Sequence, residues 1–209
     1  MFNFRNPPNN LLEPLHSLNF LSKEEIDKVF KDLQTIPFEK GKVGDKTKED
    51  NNSVRNSQVK WIPFLKEWEW LYQKLNSVIT SANQEAFKLD LKDMNESIQY
   101  TEYSSEYDGK YGWHVDLGTE YPSSHRKIST TIQLSSPSEY EGGYLQLFNN
   151  SMNPSNPEDQ KGLPHYLQNS PKVLGTATLF PSFIPHRVTP VTKGIRKSLV
   201  LWVGGTPFK

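Results

Sequence analysis

Near residue 97 the spacing of apolar residues changes period, and that change limits the chain to a small set of folds. Before it, the spacing is helical. Ser22-Lys23-Glu24-Glu25 has the form of a capping box, and Ile26, Val29, Phe30 and Leu33 follow on one helical face until Pro37 ends the pattern. After Pro63 a second stripe runs through Leu65, Trp68, Leu71, Tyr72, Leu75, Val78, Ile79, Ala82 and Ala86, and its aromatics read as core. Beyond residue 97 the spacing is that of strands. Ile128, Thr130, Ile132 and Leu134 alternate with Ser129, Thr131 and Gln133, and Tyr144 to Phe148 follow Gly142-Gly143. Further strands are expected at 59–62, 98–103, 113–117, 173–180, 184–188 and 195–203. Many short strands without intervening helices predict a mainly β fold, an antiparallel jelly-roll barrel with the two helices buttressing its outside. Two segments lack periodicity. Residues 41–58, charged and glycine-containing, read as a long mobile loop, and 149–170, rich in Asn, Pro and Ser, as an exposed insertion. Each is expected either to close over a substrate or to serve as a solvated connection.

The 209 residues are most simply one domain, with 1–96 a helical buttress and loop region and 97–207 the jelly-roll core. A chain of this length can bury a core without metal or disulfide staples. It has no cysteine, so any metal must be held by His, Asp, Glu or carbonyl oxygen. Lys plus Arg and Asp plus Glu number 24 each, which gives no overall field toward nucleic acid or an anionic membrane. The segment Met1 to Pro8 lacks the apolar run of a signal peptide, and no segment approaches transmembrane length, so a soluble, intracellular, cytoplasmic protein is expected.

In Gly112-Trp113-His114-Val115-Asp116-Leu117, His114 and Asp116 would share one face of an extended strand and reach one metal ion. A third ligand must come from elsewhere, and the residues after His186 make it the best choice. Pro190 and Gly194 supply turn chemistry midway between His186 and Arg196, so a hairpin is expected to place these two on adjacent antiparallel strands. Two His and one carboxylate leave open positions suited to non-heme Fe(II), and the guanidinium fork of Arg196 suits an acidic cosubstrate. Alternation from Arg196 brings Ser198, Val200 and Trp202 to the same wall. His16, His125 and His165 have no acidic residue two positions on and are read as surface or ordinary structural histidines.

Tyr111 to Asp116, Tyr140-Glu141-Gly142-Gly143, and Phe180-Pro181-Ser182 with His186 to Gly194 together resemble the prolyl 4-hydroxylase-type (PKHD-like) branch of the Fe(II)- and 2-oxoglutarate-dependent dioxygenases. Similarity extends back through Ser53 to Trp61 and covers roughly residues 40 to 207. The resemblance implies a double-stranded β-helix of the cupin-like, jelly-roll kind. It implies Fe(II) on His114, Asp116 and His186, and 2-oxoglutarate chelating the iron and paired with Arg196. It places Tyr103, Gln133 and Trp202 around the cosubstrate, with Leu145 on its apolar side. Because the segment Tyr103 to Tyr111 is longer than usual, Tyr107 is an alternative to Tyr103. The implied reaction hydroxylates a C–H bond of a peptidyl prolyl residue with O2, releasing succinate and CO2, with ascorbate as reductant. A free amino acid or other small molecule is the alternative substrate, and a non-catalytic metal- or acid-binding jelly roll the alternative class. The nucleic-acid demethylase branch typically carries a second Arg six residues after the cosubstrate Arg, where this chain has Trp202.

Overall fold

The computed structural model describes residues 13–42, 53–148 and 166–207. Among these, the strands in chain order are β1 (Leu15–Ser17), β2 (Glu39–Lys40), β3 (Arg55–Asn56), β4 (Gln58–Ile62), β5 (Leu91–Asp93), β6 (Ile98–Ser104) and β7 (Lys110–His114). They continue as β8 (Arg126–Gln133), β9 (Tyr140–Gly142), β10 (Leu145–Phe148), β11 (Leu167–Asn169), β12 (Ala177–Pro181), β13 (His186–Val188) and β14 (Val191–Gly205). The larger sheet runs β1-β12-β8-β14-β6-β4-β2, with β5 and β9 also pairing with β14; the smaller runs β11-β10-β13-β7-β3. The pairs are antiparallel throughout, as the jelly-roll reading requires.

Two α-helices cover the larger sheet. In α1 (Lys23–Asp32) the capping box is closed: the Ser22 hydroxyl accepts from the Glu25 N–H, and the Glu25 carboxylate accepts from the Ser22 N–H at 2.8 Å. The helix tightens into a 3₁₀ turn at Leu33–Thr35, just before Pro37. The second, α2 (Glu69–Ala82), buries Leu71, Tyr72, Leu75, Ile79 and Ala82. Its apolar stripe begins at Trp68; Leu65 precedes the helix and is exposed. Strand alternation does the rest. Ile128 and Ile132 of β8 and Leu199, Leu201 and Val203 of β14 join Ile26, Val29, Leu75 and Ile79 in one core, so the helices bury the outer face of the larger sheet. No helix among the described residues is long and apolar enough to cross a membrane.

The structure corrects several local expectations. The strand expected at 113–117 lies earlier, at Lys110–His114, and Asp116 follows its end. In 41–58, Arg55–Asn56 is a strand paired with Tyr111 and Lys110; residues 43–52 of that expected loop lie outside the described residues. The segment 149–165, with His165, also lies outside them, but Leu167–Asn169 pairs with β10 rather than forming part of an insertion. The expected strand 173–180 is shorter, with Gly175 at φ +75° ahead of β12, where a Cβ would meet the Leu21 carbonyl. The hairpin between His186 and Arg196 does not form. β13 pairs within the smaller sheet, whereas β14 crosses to the larger one, first pairing with β9 and then with β6 and β8. Gly194, at φ +72°, is a kink inside β14 rather than a turn; a Cβ there would sit 2.1 Å from the Glu139 carbonyl oxygen.

Candidate functional site

Between the sheets the walls are polar as well as apolar. The inward positions of β6 are Gln99, Thr101 and Tyr103, those of β8 are Ser129, Thr131 and Gln133, and those of β14 are Arg196, Ser198, Val200 and Trp202, alternating with the residues buried under the helices. A core-only sheet has no use for that row of donors. Tyr103, Tyr140, Leu145, Leu147, Phe180 and Val188 close one part of the gap as a second apolar cluster. The remainder is a cavity of about 520 Å³ whose lining includes His114, Asp116, His186 and Arg196.

His114, Asp116 and His186 converge, with one ligand atom from each lying within 4.8 Å of the others. His114 Nε2 is 3.6 Å from Asp116 Oδ1, and His186 Nε2 is 3.4 Å from Asp116 Oδ2. Each imidazole is turned by its other nitrogen: His114 Nδ1 lies 2.9 Å from the Gly112 carbonyl and His186 Nδ1 lies 2.9 Å from the Ile184 carbonyl. A carbonyl only accepts, so both Nδ1 atoms carry hydrogen and both Nε2 lone pairs face the carboxylate. Burial pushes the His186 pKa down to about 4, which keeps that ring neutral, as a ligand must be.

Burial alone would raise the Asp116 pKa. When they carry a proton, the rings of His186 and His114, together with a hydrogen bond from Ser129, outweigh it and hold the carboxyl below the usual carboxylate range. Ser129 Oγ donates to Asp116 Oδ2 at 2.7 Å and lies 3.0 Å from Ser182 Oγ. The Asp116 and Leu117 N–H groups both donate to the Ser182 carbonyl at 2.9 and 3.0 Å. These contacts hold Asp116 beyond the end of β7, where strand geometry no longer does. A buried carboxylate among two imidazole lone pairs, with no Lys or Arg paired to its oxygens among the described residues, is an arrangement that a divalent metal satisfies.

Arg196 is 3 % exposed and donates to Ser198 Oγ at 3.0 Å. No carboxylate pairs with it among the described residues. It therefore fits an acidic ligand entering from the cavity. Tyr103 is buried in the lining, with its guanidinium neighbour Arg196 5.7 Å from the ring centroid. Tyr107 instead donates to the Glu102 carbonyl and lies outside this lining, so of the two tyrosines only Tyr103 is brought to the triad. Trp202 and Leu145 also line the cavity. Gln133 does not. Its amide donates to Tyr140 Oη at 2.9 Å and to the Ser135 carbonyl at 3.1 Å, beside a small recess that shares Thr131, Leu145 and Arg196 with the cavity.

Several residues of the site were not singled out from sequence. Ser129 and Thr131 share the face of Gln133, and alternation alone could have shown them. Tyr140 faces Arg196, and burial raises its hydroxyl pKa against the pull of that guanidinium. Tyr111 stacks on His114, and Arg55 and Arg126 line the cavity; no periodic signal marks these three. His16 and His125 lie outside the cavity lining, as expected of structural histidines.

A family model described as "2OG-Fe(II) oxygenase superfamily" matches residues 98–204. Among curated relatives, a PKHD-type hydroxylase of Acidovorax ebreus is 35% identical over 100 residues, covering 46% of this chain and 38% of that protein. The PKHD-type hydroxylase YbiX of Shigella boydii is 27% identical over 195 residues, covering 90% of this chain and 76% of that one. The matched stretch spans less than two fifths of the length of the Acidovorax relative and of similar ones from Pseudoalteromonas atlantica and Cupriavidus metallidurans. Among solved structures, a Pseudomonas putida prolyl-4-hydroxylase superposes with a TM-score of 0.66 at 19% identity, covering 92% of this chain and 93% of that one. A Trichoplax adhaerens prolyl hydroxylase, solved with a hypoxia inducible factor oxygen degradation domain peptide fragment, superposes with a TM-score of 0.70 at 18% identity, covering 92% and 83%. At such identity the likeness is one of fold, and the fold is the double-stranded β-helix.

Proposed function

Because the chain belongs to the 2OG-Fe(II) oxygenase superfamily, we propose that it is a 2-oxoglutarate-dependent hydroxylase acting on a prolyl residue of a peptide or protein. The observation that carries this reading is the pairing of a convergent, buried His114–Asp116–His186 set with a buried Arg196 that lacks a carboxylate partner among the described residues, both lining one cavity. Residues 97–207 carry the machinery and the helices of 1–96 buttress it. The preference for a prolyl substrate is supported by the names of the solved relatives, one of which was captured with a peptide fragment.

His114, Asp116 and His186 would hold Fe(II), and 2-oxoglutarate would lie between that triad and Arg196. When bound, the pair would supply oxidative chemistry: one atom of O2 would pass into succinate as 2-oxoglutarate loses CO2, the other would enter a C–H bond, and ascorbate would keep the iron reduced. The chain's own residues position and exclude. The Nδ1 hydrogen bonds of both histidines fix the rings, and Ser129 fixes the carboxylate. Arg196 aligns the far carboxylate of the cosubstrate, while Tyr103, Leu145 and Trp202 supply walls that keep water from the reacting groups. No side chain needs to act as general base.

Incubation with Fe(II), ascorbate and 2-oxoglutarate tests the reading. Succinate should form slowly without a prime substrate and faster with one, and mass spectrometry of proline-containing peptides should show a gain of one oxygen. No succinate under any of these conditions would leave a binding module instead.

A further inference from the structure

Three arginines line the cavity, and their charges are balanced in different ways. Arg126 is neutralised by Glu96, which accepts from its Nε at 2.7 Å and its Nη2 at 2.5 Å. Arg196 is placed above against the far carboxylate of 2-oxoglutarate. Arg55 is left over. It is 8 % exposed, and its Nε donates to Ser57 Oγ at 2.8 Å while Nη1 donates to the Lys42 carbonyl at 2.9 Å. Both acceptors are neutral, and among the described residues no carboxylate pairs with it. Those two bonds pin the fork and leave Nη2 without a partner among the described residues. A buried guanidinium held in one orientation by neutral oxygens is costly unless an anion reaches it.

Its position says which anion. The Arg55 guanidinium lies 4.7 Å from the centroid of the Tyr111 ring, and that ring lies 3.6 Å from the His114 ring, 14° from parallel. Arg55 is thus the outer layer of a three-layer stack whose inner layer is a candidate metal ligand. Charge accounting separates it from the cosubstrate. A divalent iron, the Asp116 carboxylate, a doubly charged 2-oxoglutarate and Arg196 sum to zero, and Arg126 with Glu96 sums to zero, so among the described arginines of the lining Arg55 is the charge that remains. Glu39, Lys40 and Lys42 also line the cavity.

We propose that Arg55 is the anchor for a carboxylate on the molecule that is hydroxylated, an inference resting on the hydroxylase reading above. The flat fork matches a carboxylate through paired hydrogen bonds. The carboxylate is either an acidic side chain beside the hydroxylated residue of a peptide or the main-chain carboxylate of a free amino acid or peptide C-terminus.

The test presents wild-type protein, Fe(II), ascorbate and 2-oxoglutarate with four pools. These are amidated proline-containing peptides with Asp or Glu at each neighbouring position, the same peptides with Asn or Gln, the Asn/Gln peptides with free C-termini, and the free amino acids. Gain of one oxygen is read by mass spectrometry, and the carboxylate-bearing pools should exceed the amidated neutral pool by about 30-fold or more. Which of them does so identifies the source. In Arg55→Gln that ratio should fall toward one, and Arg55→Lys should restore part of it. In Arg55→Glu the preference should move to peptides carrying Lys at the same position. Because each readout is a ratio within one enzyme preparation, a general loss of activity does not mimic it. A wild-type ratio near one, a ratio unchanged in Arg55→Gln, or succinate formation with no oxygen gained in any carboxylate pool overturns the assignment of Arg55. Absence of succinate overturns the hydroxylase reading instead.

Discussion

The phenol of Tyr111 lies flat on the imidazole of His114, with ring centroids 3.6 Å apart and planes 14° from parallel. Together with the Nδ1 contact to the Gly112 carbonyl, it restricts His114 to one rotation. Tyr111→Ala should therefore weaken Fe(II) binding by about tenfold to a hundredfold, as loss of a ligand's supporting contact does elsewhere. Tyr111→Phe keeps the stacked ring and should bind iron almost as the parent does. Anaerobic iron titration separates the two variants.

Ser129 offers a second check on the same centre. Its hydroxyl is the side-chain donor to Asp116 Oδ2, so Ser129→Ala should let the carboxylate turn and lower iron affinity by about tenfold to a hundredfold with the fold intact. Replacing His114, Asp116 or His186 by Ala should abolish turnover. A variant of these three that retains near-normal activity at low iron identifies a residue that is not a ligand.

For Arg196→Ala the expected loss is in 2-oxoglutarate affinity, roughly 2 to 5 kcal/mol, because a buried carboxylate would be left without its partner. Iron binding should persist. Arg196→Lys should recover only part of the loss, since an ammonium cannot copy the two-pronged contact. Calorimetric titration of 2-oxoglutarate into metal-loaded protein measures both.

Acid should destabilise the metal-free protein through His16. Burial lowers its pKa from 6.5 to about 4, while Nδ1 meets Thr178 Oγ1 at 3.1 Å and Nε2 meets the Gln168 amide at 3.0 Å. The folded form therefore takes up its proton later than the unfolded chain. Stability is unaffected above pH 6.5 and falls as pH drops from there to about 4, with a slope of about 1.4 kcal/mol per pH unit for this one proton. His186 contributes in the same direction before metal is added. Denaturant midpoints of His16→Gln across this range should show a slope shallower than the parent's.

The sequence carried the layers of the fold better than its crossings. Alternation in β8 and β14 separated helix-facing Ile132 and Leu199 from cavity-facing Thr131 and Arg196, because burial on both faces still leaves one face apolar and the other polar. The capping box at Ser22 was equally legible, being a local event. The hairpin was misread because Pro190 and Gly194 have the composition of a turn, while the positive φ of Gly194 serves a kink that clears the Glu139 carbonyl. Local residue types do not say which sheet a strand joins. Asp116 was assigned a strand position it does not have, yet it reaches His114 and His186 through Ser182 and Ser129, contacts that come from distant parts of the chain. Arg55 escaped notice for a related reason: nothing near it in sequence marks a buried charge, and its setting arises only when β3 pairs with β7.

The crossing of the chain from one sheet to the other between β13 and β14 makes the gap between the sheets a gauge. His114 and His186 stand on the smaller sheet and Arg196 on the larger, so a diacid held at both ends is measured against a fixed span. A four-carbon oxo-diacid should fall short of the guanidinium and a six-carbon one should buckle, so chain length as well as charge would govern which diacid this protein accepts.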